Sequence, residues 1–193
     1  MIKGWLNTNI SPEILLTRYI ATSKDKYLTL LVQQFNQPIY HYVLSQSDKE
    51  MAEDIIQSMW LKVMKVEGSH QVNNNVKSWL FTIARHTLID ELRRQNRWHT
   101  QPLDEQVTID ESNLLSEAAN LSLEQETENN DRLVVFNQAI SNLLFYQREA
   151  FIFQQEGFSV LQIAELTDES FETIKSRLRY ARTHIKNFLD NKS

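Results

Sequence analysis

From Ser11 onward, apolar residues recur at steps of three and four in stretches long enough for helices. Ser11-Pro12-Glu13 opens the first of these, with a capping oxygen, a proline that pre-sets the first helical position and an acid facing the helix dipole. A longer helix is expected from about Lys24 to Ser45, where Pro38 removes one backbone bond and predicts a kink or a break. Ser47 and Glu50 then stand at capping-box spacing ahead of Ala52, Ile55, Ile56, Met59, Val63 and Val66. The pattern stops at Glu67, and the run from Gly68 to Asn75 is rich in residues that favour turns and caps. It resumes from Val76 to about Arg97, with Leu80, Ile83, Ala84, Leu88 and Leu92 inward.

A second helical half begins near Asp131, with Leu133, Phe136, Ile140 and Leu143 on one face. A helix over Gln147–Glu156 follows, ended by Gly157. Ser159 and Gln162 have capping-box spacing at the start of a short helix carrying Ile163, Ala164 and Leu166. After a turn at Thr167-Asp168-Glu169-Ser170, a stripe of Phe171, Ile174, Leu178, Ala181, Ile185 and Leu189 marks a longer helix. Short helix, tight turn and longer basic helix follow the grammar of a helix-turn-helix. Opposite the stripe lie Glu172, Thr173, Ser176, Arg177, Arg179, Tyr180 and Thr183, flanked by Lys175, Arg182 and Lys186. Such a face offers Arg for guanine edges, hydroxyls for mixed contacts and flanking cations for phosphates. With only three Gly and three Pro in 193 residues to serve hairpins, the fold class is all-α.

Charge changes the picture. The chain carries 20 Lys+Arg against 25 Asp+Glu, a net −5, which alone argues against a nucleic-acid partner. All the excess acid lies between Thr100 and Asp131, a stretch of Glu, Asp, Asn, Gln and Ser with no base in it. That composition reads as a tether between two helical domains, either a solubilising spacer or a mimic of nucleic acid that shields basic faces. The flanking halves are both net positive, and the helix from Val76 lines Lys77, Arg85, Arg93, Arg94 and Arg97 along its polar side. Cations interleaved with Trp79 and Phe81 suit a single strand, although the spacing of Trp79 also fits a core position.

Other chemistries find little support. Zero cysteines exclude disulfides, thiolate metal sites and cysteine nucleophiles, and suit a reducing cytoplasm. His86 and Asp90 stand at a ligand-pair spacing, but two ligands on one helix are too few for a metal. No stretch approaches the roughly 18 apolar residues of a membrane span, and no export signal is visible. A free-standing helix-turn-helix regulator and a helical metal-dependent enzyme remain as alternatives at this point.

The ordered motifs resemble bacterial RNA polymerase sigma factors of the extracytoplasmic-function (ECF) type. Ala52-Glu53-Asp54-Ile55-Ile56-Gln57-Ser58-Met59-Trp60-Leu61-Lys62-Val63 is similar to the sigma-two helix that docks on the polymerase clamp helices. Trp79 to His86, continuing through Asp90-Glu91-Leu92-Arg93-Arg94, resembles the helix that melts and reads the minus-ten element. Gly157-Phe158-Ser159 through Ile163-Ala164-Glu165 to Thr173-Ile174-Lys175-Ser176-Arg177 resembles the sigma-four helix-turn-helix that reads the minus-thirty-five element. The resemblance implies a sigma-two-like domain over 24–98, an acidic linker over 99–131 that threads toward the polymerase active centre, and a sigma-four-like domain over 132–193. Residues 1–23 stay outside it.

By the same resemblance, Glu53, Asp54, Gln57 and Trp60 would hold core polymerase. Asn73, Asn74 and Asn75, in the loop that begins at Gly68, would help capture a flipped base, and Lys77, Arg85, Arg93 and Arg94 would follow the strand. Thr173, Lys175, Ser176, Arg177, Arg179 and Tyr180 would face duplex DNA. The implied partners are core RNA polymerase, through its large-subunit clamp helices and flap, promoter DNA and an anti-sigma factor. No cofactor, no membrane contact and no covalent catalysis are implied. Four positions depart from the family pattern: Ser58 where Glu is frequent, His86 where Asn is frequent, Asp168 where Gly is usual and Glu169 where an apolar residue packs. Asp tolerates the left-handed conformation, whereas Glu169 predicts a more loosely packed turn.

Overall fold

A computed structural model describes residues 10–66, 75–99 and 128–191, and within these no strand is found. Asn73, Asn74 and nearly all of the acidic segment lie outside the described residues. Eight helices follow in order: α1 (Pro12–Thr22), α2 (Asp25–Leu44), α3 (Lys49–Met64), α4 (Val76–His99), α5 (Glu128–Ser141), α6 (Phe145–Gln155), α7 (Val160–Thr167) and α8 (Phe171–Asp190).

Helices α1 to α4 form one bundle. The apolar spacing places Leu31, Ile39, Met59, Leu80 and Leu88 in its centre, each with essentially no exposed surface. Helix α1, which the resemblance left aside, belongs to this bundle: Leu15, Leu16 and Tyr19 are buried, and the Tyr19 hydroxyl donates to the Met64 carbonyl at 3.3 Å. Ser11 caps α1 as its position predicts, accepting from the Ile14 N–H at 3.4 Å.

Some local expectations are corrected. Helix α2 runs through Pro38 without a break, because the helix is held by buried side chains on both sides of it, Phe35 and Ile39 among them. Asp48 rather than Ser47 caps α3, accepting from the Met51 N–H at 2.8 Å, while the Ser47 hydroxyl donates back to the Val43 carbonyl. Leu133 and Phe171, both expected on apolar faces, are 58% and 46% exposed, since each sits at the first turns of its helix beyond the packed stripe.

The second half repeats the expected helix-turn-helix. Ser159 and Gln162 complete a capping box on α7, and Asp168 ends that helix in the left-handed conformation (φ 57°, ψ 44°). Glu169 does not loosen the turn. Its carboxylate accepts from the Arg177 Nη2 at 2.7 Å, and that guanidinium lies 4.7 Å over the Tyr146 ring.

The two halves share one core. Phe153 and Phe158 insert against Tyr42 and Phe81, with ring centroids 4.6 to 6.0 Å apart. Beside these rings the Glu149 carboxylate is buried; its Oε1 accepts from the Tyr42 hydroxyl at 2.8 Å and from the Arg85 Nε at 3.0 Å. Arg148 donates to the Ser45 carbonyl at 2.7 Å, Gln46 to the Phe145 carbonyl at 3.4 Å, and Lys77 to the Glu156 carbonyl. Burial pushes the Glu149 carboxyl above the usual carboxylate range, partly offset by Arg85 and Tyr42. Burial and the adjacent carboxylate raise the Tyr42 phenol well above its usual range. Arg148, whose hydrogen bonds go to carbonyls, is lowered to about 10 by burial.

Truncating Phe153 to Ala is expected to cost about 3–5 kcal/mol in urea denaturation, as for other fully buried aromatics. Glu149→Ala should cost about 3–5 kcal/mol, because it strands the buried Arg85 cation. Because the Glu149 carboxyl binds its proton more readily in the folded protein, its contribution to stability is complete below the ordinary carboxylate range and is lost as pH rises through its raised folded value. Denaturation across that window should show this decline in the wild type, and Glu149→Gln should remove it. Asp168→Val should cost about 1–2 kcal/mol at its left-handed position, while Asp168→Gly should not destabilise.

Candidate nucleic-acid and partner interfaces

Three surfaces present the polar residues that the sequence singled out. On α3, Glu53, Asp54 and Gln57 are exposed, Gln57 one helical turn beyond the adjacent pair, on the side opposite Ala52, Ile55 and Met59. With Ile56 of the same helix they line an open groove whose other wall is Asn36 and Tyr40 of α2. Trp60 is placed differently from the other three. Its ring is buried and its indole N–H donates to the Asn36 Oδ1 at 2.9 Å, so it braces the groove from beneath instead of projecting from it. Asn36 and Tyr40 join this surface only through the α2–α3 packing, which no spacing within α3 could reveal. Ser58 is exposed on the same helix.

On α4, Asn75 acts as the cap: its Oδ1 accepts from the Ser78 N–H at 2.9 Å. Lys77 and Arg85 project toward α6 and not toward open solvent. The Lys77 ammonium lies 5.0 Å from the Phe158 ring centre and faces the Glu156 carboxylate at 3.5 Å, while Arg85 is buried against Glu149. Further along, Arg93 and Arg94 are exposed, and Arg94 forms a fork with both oxygens of Glu91 at 2.9 and 2.6 Å. That pairing lowers the Glu91 carboxyl. Trp79 is half-buried and packs against the core. His86 and Asp90 are both exposed, and among the described residues no three His, Asp or Glu side chains gather as metal ligands.

On α8, Ser170 caps the helix through the Thr173 N–H at 3.0 Å and also shares a 2.8 Å hydrogen bond with the Thr173 hydroxyl. Beyond this cap, Lys175, Arg179 and Tyr180 are exposed and Ser176 is half-buried between them. A shallow groove runs along this face from Val160 to Arg182, with Glu172 at its edge. Arg177 stands apart from the others, its guanidinium held inward by Glu169 and Tyr146. Exposed Phe171 lies at the start of the face, under the Lys175 ammonium at 5.4 Å, and offers an apolar contact that the sequence had assigned to the core.

Geometry of this kind has counterparts. Residues 31–98 match the family described as Sigma-70 region 2. RNA polymerase sigma factor YlaC of Bacillus subtilis is 25% identical over 162 residues, covering 81% of this chain and 88% of that protein. ECF RNA polymerase sigma factor SigX of the same organism is 28% identical over 99 residues, 45% of this chain and 51% of SigX. ECF RNA polymerase sigma factor SigM of Mycobacterium tuberculosis is 26% identical over 147 residues, 76% of this chain and 68% of SigM. In fold, the chain resembles the sigma factor RpoE of Bartonella quintana, solved with the anti-sigma factor NepR, at a TM-score of 0.62, 24% identity and coverage of 86% and 98%. It also resembles CnrH, solved with the cytosolic domain of CnrY, at a TM-score of 0.60, 16% identity and coverage of 94% and 99%. The region 2 match, the sigma factor relatives and the helix-turn-helix of α7 and α8 together make the chain similar to RNA polymerase sigma factors of the ECF type.

Proposed function

We propose that this chain binds core RNA polymerase, directs it to a set of promoters and helps open the duplex there, without catalysing a covalent step. The observation that carries this reading is the co-occurrence, on one chain, of the α3 acidic groove within the region 2 match and an exposed basic face on the second helix of a helix-turn-helix. Glu53, Asp54 and Gln57 are the groups that would meet the polymerase clamp helices, and Trp60 would keep their helix in register from below. Asn75, with Asn73 and Asn74, would border the pocket for a flipped base. Lys77, Arg85, Arg93 and Arg94 would track the melted strand, where cations and stacking surfaces together hold unpaired bases. Thr173, Lys175, Ser176, Arg179 and Tyr180 would lie in the major groove, since a groove of that width admits one helix. Arg177 then supports the turn through Glu169 and leaves base contact to its neighbours.

The partners follow from this reading: core polymerase at α3 and at the second half, promoter DNA at α4 and α8, and an anti-sigma factor of the kind solved with RpoE. The acidic segment over 99–131 would run toward the polymerase active centre. No described helix is long and apolar enough to cross a membrane; the chain would act in the cytoplasm, where polymerase is.

The direct test is co-elution of the purified protein with core RNA polymerase, followed by transcription of a promoter library from the same fractions. Promoter-specific transcripts are expected. Duplex binding by the protein alone, with neither co-elution nor transcripts, would instead establish a free-standing regulator. Within the holoenzyme, Arg179→Ala should cost about 1–3 kcal/mol and relax specificity at one base pair, whereas Lys175→Ala should weaken all promoters alike and lower the salt slope by about one. Arg177→Ala should leave that slope unchanged and lower the thermal midpoint, which separates its supporting role from DNA contact.

A further inference from the structure

Phe171 is the first residue of α8, the helix read as the one that enters the major groove, and 46% of its surface is exposed. Its chemistry differs from that of the rest of the face. Thr173, Lys175, Ser176, Arg179 and Tyr180 each carry a hydroxyl or a cation, whereas the Phe171 ring has no group that can donate or accept a hydrogen bond. By position the ring stands at the end of the groove. Its helical neighbours Glu172 and Lys175 line that groove, and the Lys175 ammonium lies 5.4 Å from the ring centre while facing the two Glu172 carboxylate oxygens at 3.2 and 3.3 Å. The Ser170 cap holds the helix start that carries the ring.

Two general rules narrow what an apolar ring can do there. A recognition helix brings its N-terminal residues to the base edges. Every base pair presents donors and acceptors along the major groove, and thymine adds an apolar group to them, its C5-methyl. A side chain that neither donates nor accepts gains from packing on that methyl. Against the polar edge of a guanine or an adenine it offers only desolvation, which costs free energy.

We propose that Phe171 is a specificity-determining residue that packs on the C5-methyl of one thymine in the duplex element bound by α8, while Lys175 beside it takes a neighbouring phosphate. This rests on the reading of α8 as the recognition helix. The ring stands half in water in the free protein, so docking it on the methyl removes apolar surface from water on both partners. One base pair is thereby selected without a hydrogen bond. Uracil, which differs from thymine only by the missing methyl, is rejected, and 5-methylcytosine recovers part of the contact.

The test uses holoenzyme reconstituted from the full chain and core polymerase, with a randomised duplex library as the probe. Wild-type selection is expected to return a thymine at one position of the element, and Phe171→Ala to lose that preference while keeping the others. On the selected duplex, uracil in place of that thymine should weaken wild-type binding about 4-fold, the worth of one methyl group removed from water. The same replacement should leave the affinity of Phe171→Ala unchanged. A 5-methylcytosine–guanine pair at that position should bind the wild type more tightly than an unmethylated pair, with no such difference for Phe171→Ala. Leu161→Ala, which removes an apolar side chain 59% exposed on α7, should behave as the wild type does.

Equal uracil penalties for the wild type and Phe171→Ala, no penalty in the wild type, or loss of the preference in Leu161→Ala as well would each overturn the proposal. So would a Phe171→Ala variant that co-elutes poorly with core polymerase yet keeps the thymine preference, since the ring would then serve a protein partner. Should Phe171→Ala lose its helical circular dichroism, Phe171→Gln decides on the same duplexes, with the same loss of the uracil penalty expected. Wild-type co-elution with core polymerase, measured on the same preparations, reports the initiation reading separately. If it is absent, that reading falls and the selection is run with the chain alone: a uracil penalty that depends on Phe171 keeps the thymine contact, and its absence, or no selective duplex binding at all, overturns it.

Discussion

The arrangement of this protein turns on one buried carboxylate. Glu149 lies in the second half of the chain, yet its two partners, Tyr42 and Arg85, belong to the first. Neither a tyrosine hydroxyl nor an arginine would be stable in that position alone, and the acid would not be stable without them. Their pairing at Glu149 Oε1 ties α6 to α2 and α4. The aromatic rings around it supply most of the attraction, since apolar burial is non-directional and large, while the polar triad makes other registers costly.

Local order was legible in the sequence where a short-range rule governs it. Ser11 and Ser159 cap helices within three residues of themselves, and Asp168 carries the left-handed turn that its small polar side chain tolerates. The apolar steps of α3 and α8 likewise identified most of their buried faces. Pro38 produces no break because its local cost is outweighed by the burial of Leu31, Phe35 and Ile39 along the same helix. Ser47 misled because the helix starts one residue later, where Asp48 accepts from the Met51 N–H, while the Ser47 hydroxyl is spent on the Val43 carbonyl.

The candidate surfaces were legible in composition and not in orientation. Helical periodicity places Lys77, Arg85 and Arg177 on polar faces, and on an isolated helix they would be solvated. What turns them inward is an acid from another element: Glu156, Glu149 and Glu169. Only the last is near in sequence, at a separation of eight residues across the turn. Asn36 and Tyr40 escaped notice for the same reason, because a groove between two helices has no signature in either one. The exposed residues Glu53, Asp54, Gln57, Lys175 and Arg179, which have no such long-range acid against them, stand where periodicity put them.

Arg148 has a role in how the molecule could come apart. Its guanidinium spans two helix ends, donating to the Ser45 carbonyl after α2 and to the Leu143 carbonyl after α5. One of those carbonyls belongs to the first half and the other to its own. If the halves separate, the fork loses a single acceptor and keeps the other, so the end of α5 stays closed off while the end of α2 is handed to water. The cation is thus an asymmetric clasp: the half bearing the helix-turn-helix would leave with its own seam still fastened, ready to engage DNA as an ordered body.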